Sequence, residues 1–333
     1  MQNCKTVNDI HIEYLKDLTK DSYAYDPLVN SFSVIETFDH ILMIIYATRN
    51  NSIISYDIID NRKIKEIENA HNKPITLFSH CFDNNINKRD LILSVSSFDN
   101  NIKLWDTQNW DCLFNTIANN NPWTWSACFL KDNNQVFILT SNWSNANSEQ
   151  IKVLDCNGNK IKEINDSNDG TFFIDSYYDN KFSKNYILSA HLDYVKSYDY
   201  NNNEVYHKYC DNNNKGHSCI SINNNKENTI LIESSIDGFL RIWDFHSGLL
   251  LSKIEIKGQL YDICLFKENY CFVGCDDKTI KFIDMKNKKV VKNLNGHNMG
   301  VLTIKKINHP EYGECLLSQG YCEDNIKLWN IKI

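Results

Sequence analysis

No apolar run in this 333-residue chain exceeds seven residues. The longest, Ile41 to Ala47, suits a buried strand and is too short to span a bilayer. The N-terminal MQNCKTVNDI lacks the apolar core of a secretory signal. A cytoplasmic setting is therefore expected, with the nucleus as the alternative. Basic residues are in the minority, 35 Lys and Arg against 42 Asp and Glu, for a net charge of −7. That balance argues against a general nucleic-acid binder, which usually carries a basic domain. The twelve cysteines include no Cys-x-x-Cys. Cys271 and Cys275 flank a strand-like run, and no His or Cys partner stands at zinc spacing. Most cysteines, among them Cys128, Cys219, Cys264 and Cys315, fall in predicted strands, as reduced thiols of a cytosolic protein do. There is no phosphate-binding Gly-rich loop, no zinc-helix motif and no nucleophile elbow. No cofactor and no metal are expected, and an enzyme is the least favoured class.

What the chain does have is 42% hydrophobic residues, including 16 Phe, 17 Tyr and 7 Trp, ample for a core. It also repeats itself. Ser235 to Phe245 reads SIDGFLRIWDF, Phe98 to Thr107 reads FDNNIKLWDT, and Tyr321 to Ile331 reads YCEDNIKLWNI. Each is a turn feeding a short strand that ends on Trp and an Asp or Asn. Weaker copies are SIISYDI from Ser52, QIKVLDC from Gln150, YVKSYDY from Tyr194 and DKTIKFIDM from Asp277. The closing residues, Asp57, Asp106, Asp155, Asp199, Asp244, Asp284 and Asn330, lie 40 to 49 residues apart. Short strands at that period are the mark of propeller blades. Seven copies fill nearly the whole chain, so one domain over 1–333 is expected, with blades 1–7 over 31–333.

These motifs resemble those of the Trp-Asp-repeat (WD-repeat) β-propeller family. Its second mark, a Gly-His pair ahead of the Trp, occurs as Gly216-His217 and Gly296-His297, with Ala70-His71 as a variant. The resemblance implies an all-β, seven-bladed ring of four-stranded antiparallel blades. It also implies a hydrogen-bonded tetrad of His, Asp, Ser or Thr, and Trp inside a blade. Carried over, this gives His71, Asp99 and Trp105 in blade 2, and His217, Asp237 and Trp243 in blade 5. Ser94 or Ser96, and Ser234 or Ser235, are the candidate hydroxyls. Blade 7 offers His297 and Trp329, with Glu323 in the place of the Asp. Blades 1, 3, 4 and 6 carry Tyr56, Leu154, Tyr198 and Ile283 in the Trp position and have no matching His. A His, Ser and Asp together also describe a hydrolase triad. Their recurrence in separate blades favours a scaffold role, since an enzyme needs one site.

Only Ile331 to Ile333 follow Asn330, so blade 7 lacks an outer strand from its own end of the chain. Asp9 to Leu18 alternates Ile10, Ile12 and Tyr14 with His11 and Glu13, as a strand does. Residues 1–30 are expected to supply that strand and then cross to blade 1, closing the ring. Tyr14, Leu15 and Leu18 also fit a helical stripe.

In such a fold the loops make the site. Phe98, Trp123, Trp125, Trp143 and Tyr261 are the candidate partner-binding residues, because aromatics concentrate at binding hot spots. Asp262, Asp276 and Glu323 add negative charge to the same rim, favouring a partner with Lys or Arg. Lys278, Lys281, Lys286, Lys288, Lys289 and Lys292 form a basic cluster in blade 6, expected to be a solvated hairpin. Blades 2 and 5 have Gln108 and His246 where the ubiquitin-ligase receptors of the family need Arg or Lys. The leading expectation is a non-enzymatic scaffold or adaptor for protein partners, without nucleic acid, membrane or metal. A peptide-reading substrate receptor in a regulatory complex is the alternative.

Overall fold

A computed structural model describes residues 10–24, 31–37, 41–84, 88–117, 124–142, 151–165, 170–211, 216–224 and 228–332. Blade 1 is built from β2 (Phe32–Glu36), β3 (Leu42–Ala47), β4 (Ile53–Asp57) and β5 (Arg62–Ile67), preceded by β1 (His11–Asp17). Blade 2 holds β6 (Leu77–Asp83), β7 (Arg89–Ser96), β8 (Asn101–Asp106) and β9 (Asp111–Ile117). Blade 3 holds β10 (Thr124–Asp132), β11 (Gln135–Asn142), β12 (Ile151–Leu154) and β13 (Lys160–Ile164). Blade 4 holds β14 (Phe173–Asp179), β15 (Lys184–Ala190), β16 (Val195–Asp199) and β17 (Val205–Tyr209). Blade 5 holds β18 (His217–Asn224), β19 (Thr229–Ser235), β20 (Phe239–Asp244) and β21 (Leu250–Glu255). Blade 6 holds β22 (Leu260–Phe266), β23 (Tyr270–Cys275), β24 (Ile280–Asp284) and β25 (Lys289–Leu294). Blade 7 holds β26 (Val301–His309), β27 (Gly313–Gly320) and β28 (Ile326–Lys332). Every pairing within a blade is antiparallel, and the described residues contain no helix.

Each innermost strand packs on the next, and β2 meets β26, so the seven sheets form a ring. The outer place of blade 7 is taken by β1, which pairs with β28 from His11↔Lys332 to Asp17↔Lys327. The expected closing strand is therefore present. Ile12 is buried beside Leu316, Trp329 and Ile331. The Tyr14 ring stands edge-on to Trp329, with centroids 5.5 Å apart. This closure pairs the edge that an open array of repeats would expose.

Both faces of a blade lie against neighbouring blades, so the middle strands are apolar on both sides. All six residues of β3, LMIIYA, are buried, whereas five of the six in the outer strand β5, RKIKEI, are exposed. The core thus sits between blades. One cluster joins Leu93 and Leu104 of blade 2 to Phe129 and Ile138 of blade 3.

One register feature recurs in all seven blades. Opposite the Trp position the outer strand carries an extra, unpaired residue. These are Ile64, Leu113, Ile161, Tyr206, Leu251, Val291 and, in blade 7, Leu15. Each is apolar or aromatic. A bulge there twists the exposed edge away from a flat template, which discourages pairing with another chain.

The antiparallel order puts connections of two kinds at each end of the ring. Turns between second and third strands, and loops leading into the next blade, share the upper rim. Turns between first and second, and third and fourth strands, share the lower rim. Asn occupies left-handed turn positions at Asn51, Asn61, Asn100 and Asn203, as its short polar side chain allows. Not every Asn run lies between strands: Asn223 and Asn224 belong to β18. The runs at 119–121 and 212–214 lie outside the described residues.

Candidate interaction rim

The blade interiors differ from one another more than their shared motif suggests. In blade 7, Trp329 Nε1–H donates to Ser318 Oγ at 2.7 Å, and His297 Nε2 lies 2.7 Å from the same oxygen. His297 Nδ1 lies 2.5 Å from Glu323 Oε2. Glu323 Oε1 accepts from the backbone N–H of Asn298 and of Met299. Glu323 thus completes a four-membered chain and ties the incoming loop to the turn after β27. Gly320 leaves room for it, because a Cβ there would come within 2.7 Å of the Glu323 carboxyl. Burial pushes the Glu323 carboxyl up, but the bonds and charge around His297 outweigh this and hold it below its ordinary value. Glu323 is therefore not a rim charge, contrary to expectation.

Blade 2 keeps three members. His71 Nε2 and Trp105 Nε1 both meet Ser94 Oγ, at 2.7 and 2.8 Å, so Ser94 and not Ser96 is the shared hydroxyl. Asp99 does not join His71. Its Oδ1 caps its own turn by accepting from Asn101 N–H. His71 Nδ1 has no hydrogen-bond partner among the described residues. Burial, with the Lys103 charge second, pushes the His71 imidazole down to about 3.

Blade 5 has exchanged its tetrad for ions. The residue in register with Ser94 and Ser318 is Glu233, two positions beyond the partner of the Trp. Glu233 Oε2 lies 3.2 Å from His217 Nδ1, and Glu233 Oε1 lies 3.6 Å from Arg241 Nε. Arg241 donates to both oxygens of Asp237 and, through Nε, to Asp211. Lys253 also donates to Asp211. Neither expected hydroxyl serves here: Ser234 donates to Tyr261 O, and Ser235 to Gly216 O. Asp237 binds Arg241 instead of His217, and Trp243 Nε1 has no partner among the described residues. Blade 4, expected to lack a His, has Ser189 Oγ 2.8 Å from His191 Nε2, and Ser189 holds the same register position.

Among the described residues, hydrogen bonds tie several connections of the upper rim into a collar. Leu192 O accepts from Gly216 N–H, and Gly216 O accepts from Ile236 N–H. Asn100 Oδ1 accepts from Thr124 N–H, Gln259 O from Asp276 N–H, and Gly300 O from Tyr321 N–H. Each bond ties an incoming loop to a turn. Gly216, at φ +67°, lies directly under Ile236, whose Cδ1 would stand 2.3 Å from any Cβ added there. Single apolar side chains project from this collar: Phe98 (39% exposed), Leu192 (47%), Ile236 (38%) and Met299 (41%).

Of the expected partner-binding residues, Phe98 is exposed in the turn after β7. Trp125 is half-buried, with its ring edge-on to Phe172 at 6.0 Å. Tyr261 is half-buried too, and its hydroxyl donates to Gln259. Trp123 and Trp143 lie outside the described residues. Asp276 is exposed, but Asp262 is buried and accepts from Ile263 N–H and Ile304 N–H.

Comparison with known proteins bears on the blades themselves. Residues 62–106 match the family model described as WD domain, G-beta repeat, a stretch that ends on Trp105-Asp106. Blade 2 thus carries a repeat of the WD type, in a seven-bladed ring. A 72-residue stretch is 33% identical to the U3 small nucleolar RNA-associated protein 21 homolog of Schizosaccharomyces pombe, covering 21% of this chain and 8% of that protein. Over 96 residues it is 31% identical to Cell division control protein 4 of Saccharomyces cerevisiae, covering 28% of this chain and 12% of the relative. Another 96-residue match, 30% identical, is to the WD repeat domain-containing protein 83 homolog of Dictyostelium discoideum, with 28% of each covered. The matched stretches thus span well under two thirds of these relatives' lengths.

Within this ring, Leu192, Ile236 and Met299 escaped sequence reasoning, which looked for aromatics. The usable signal was one apolar residue set among polar ones in a turn, as in His191-Leu192-Asp193 and Ser235-Ile236-Asp237.

Proposed function

We propose that this propeller is a non-enzymatic interaction scaffold whose upper rim receives a protein partner. The observation that carries this is the collar. Phe98, Leu192, Ile236 and Met299 are exposed apolar residues on connections that hydrogen bonds to backbone or side chain hold in place. Exposed apolar side chains on turns that are already ordered bury area on binding with less loss of freedom. The His–Ser pairs support the same reading. Ser94, Ser189 and Ser318 are fully buried, so they have no route to a substrate, and in blades 2 and 7 the hydroxyl also accepts from a Trp. Purification of the tagged chain from its own cells, beside a Phe98→Ser/Leu192→Ser/Ile236→Ser variant, tests the proposal. A stoichiometric partner lost from the variant supports it. Partners retained equally by both chains move the interface off this rim.

A further inference from the structure

Blade 6 differs from the other blades in what it places at its left-handed turn positions. Elsewhere these are mostly Asn or Gly, as at Asn61, Gly158, Asn203 and Gly248 in turns between third and fourth strands. In blade 6 all three non-Gly positions are lysines: Lys267 (φ 52°), Lys278 (φ 71°) and Lys288 (φ 55°). A left-handed residue with a Cβ costs roughly 1–2 kcal/mol, which Asn offsets by local bonding and Lys does not. Backbone cost accepted at a surface turn points to a use for the side chain.

The structure also redraws the basic cluster expected from the sequence. Lys278 and Lys281 belong to the upper rim, where Lys281 is buried against Asp277. Lys292 reaches Ile12 O of the closing strand. Lys286 and Lys288 instead occupy the lower turn after β24, with Lys289 opening β25 beside them, and Lys267 joins them from the turn after β22. The two turns are clipped together by Met285 N–H donating to Asn269 O at 2.9 Å. All four lysines are exposed, and none has a carboxylate partner among the described residues. Lys306 of blade 7 comes from the side, 5.8 Å from the Phe266 ring that Lys267 approaches at 5.5 Å, and lies 3.6 Å from Glu314. Glu268 is the one exposed acid within the two turns, since the adjoining Asp284 is buried and bound by Asn287. A chain of net charge −7 thus concentrates unpaired ammonium groups on the lower face of one blade.

We propose that this lower face of blade 6 docks an acidic, extended segment of a partner protein. Several features favour protein over other polyanions. No exposed aromatic ring stands in these turns to stack a base, Tyr270 being stacked on Phe282 at 5.4 Å. The two turns expose no large apolar side chain to enter a bilayer. The residues are lysines, mobile point charges suited to scattered carboxylates, where phosphates favour the planar fork of arginine. A short acidic segment also stays within about one Debye length of the patch, clear of the remaining negative surface.

The test is fluorescence anisotropy of a labelled oligoglutamate peptide at low and physiological salt. It compares the wild-type chain with K267N/K286Q/K288N/K289Q and with the upper-rim control K257N/K278N. Asn fits the left-handed backbone, so the quadruple variant should melt no lower than wild type, and lost binding then reports lost charge. The expected result is salt-sensitive binding that weakens by about tenfold or more in the quadruple variant and is unchanged in the control. Equal affinity in both variants, or no binding by wild type at low salt, overturns the proposal. So does tighter capture of single-stranded RNA or phosphatidylserine vesicles than of the peptide through the same four lysines.

Discussion

Glu233 and Arg241 face each other across neighbouring strands of blade 5, both fully buried, at the level where Ser94 and Lys103 pair in blade 2 and Ser318 and Lys327 pair in blade 7. One blade thus holds together with an ion network where two others use a hydroxyl. Buried charges are stable only while every partner is present.

Removing one member should therefore be severe. Arg241→Leu leaves Glu233 and Asp237 short of their cation, with Asp211 keeping only Lys253, and should cost about 3–5 kcal/mol. Glu233→Ser/Arg241→Lys restores the pairing seen in blades 2 and 7 and offers Trp243 an acceptor. Urea unfolding should show the double variant closer to wild type than Arg241→Leu. The reverse order would mean that blade 5 cannot accommodate the hydroxyl arrangement.

Ser94 and Ser96 lie two residues apart on β7 and are both fully buried. Only Ser94 joins His71 and Trp105. Ser94→Ala strands both ring nitrogens and should destabilise by about 1–3 kcal/mol. Ser96 Oγ has no partner among the described residues, so Ser96→Ala should cost less. Equal losses in chemical denaturation would contradict the assignment.

His71 sets a pH dependence. Its folded value is pushed down from 6.5 to about 3 by burial, with Lys103 second. The unfolded chain therefore takes up a proton that the folded chain refuses. The contribution is fully present above about pH 6.5 and declines as pH falls towards about 3, by up to about 1.4 kcal/mol per pH unit. Stability measured from pH 7 to 4 should fall more steeply in wild type than in His71→Gln. Parallel profiles would show that His71 is not a buried neutral imidazole.

Ring closure rests on β1. Ile12→Ala removes a buried side chain from the seam with Trp329 and should cost about 2–4 kcal/mol. Ile161→Ala, at the exposed bulge of blade 3, should stay within about 0.5 kcal/mol of wild type. Similar values for both would mean that β1 is not integral to the ring.

The blade count and the closing strand could be read from the sequence because they follow period and alternation. The family resemblance supplied His71, Trp105, His297 and Trp329, but it left Ser94 and Ser96 open and named no hydroxyl in blade 7, where Ser318 serves. The blade 5 exchange could not be read. The Trp-to-hydroxyl spacing is eleven residues for Ser94 and Ser318, but ten separate Glu233 from Trp243. The turn is one residue shorter, and a one-residue slip changes which side chain faces His217. Ser234 and Ser235 looked plausible because hydroxyls were sought and a carboxylate was not. Glu323 was misplaced on the rim for a related reason. An acid in a turn looks solvated until Gly320 and the incoming loop are seen to enclose it. The lower lysine cluster was only half visible, since Lys267 is separated in sequence from Lys286 and joins it through a backbone bond between turns.

The upper rim as docking surface is tested most directly by placing a photo-crosslinking residue at Ile236 and, in a separate chain, at Leu249 on the lower rim, which is 65% exposed. The partner recovered with the tagged wild-type chain should form an adduct from position 236 and none from 249. An adduct from 249 with none from 236 would contradict an interaction rim formed by Phe98, Leu192, Ile236 and Met299.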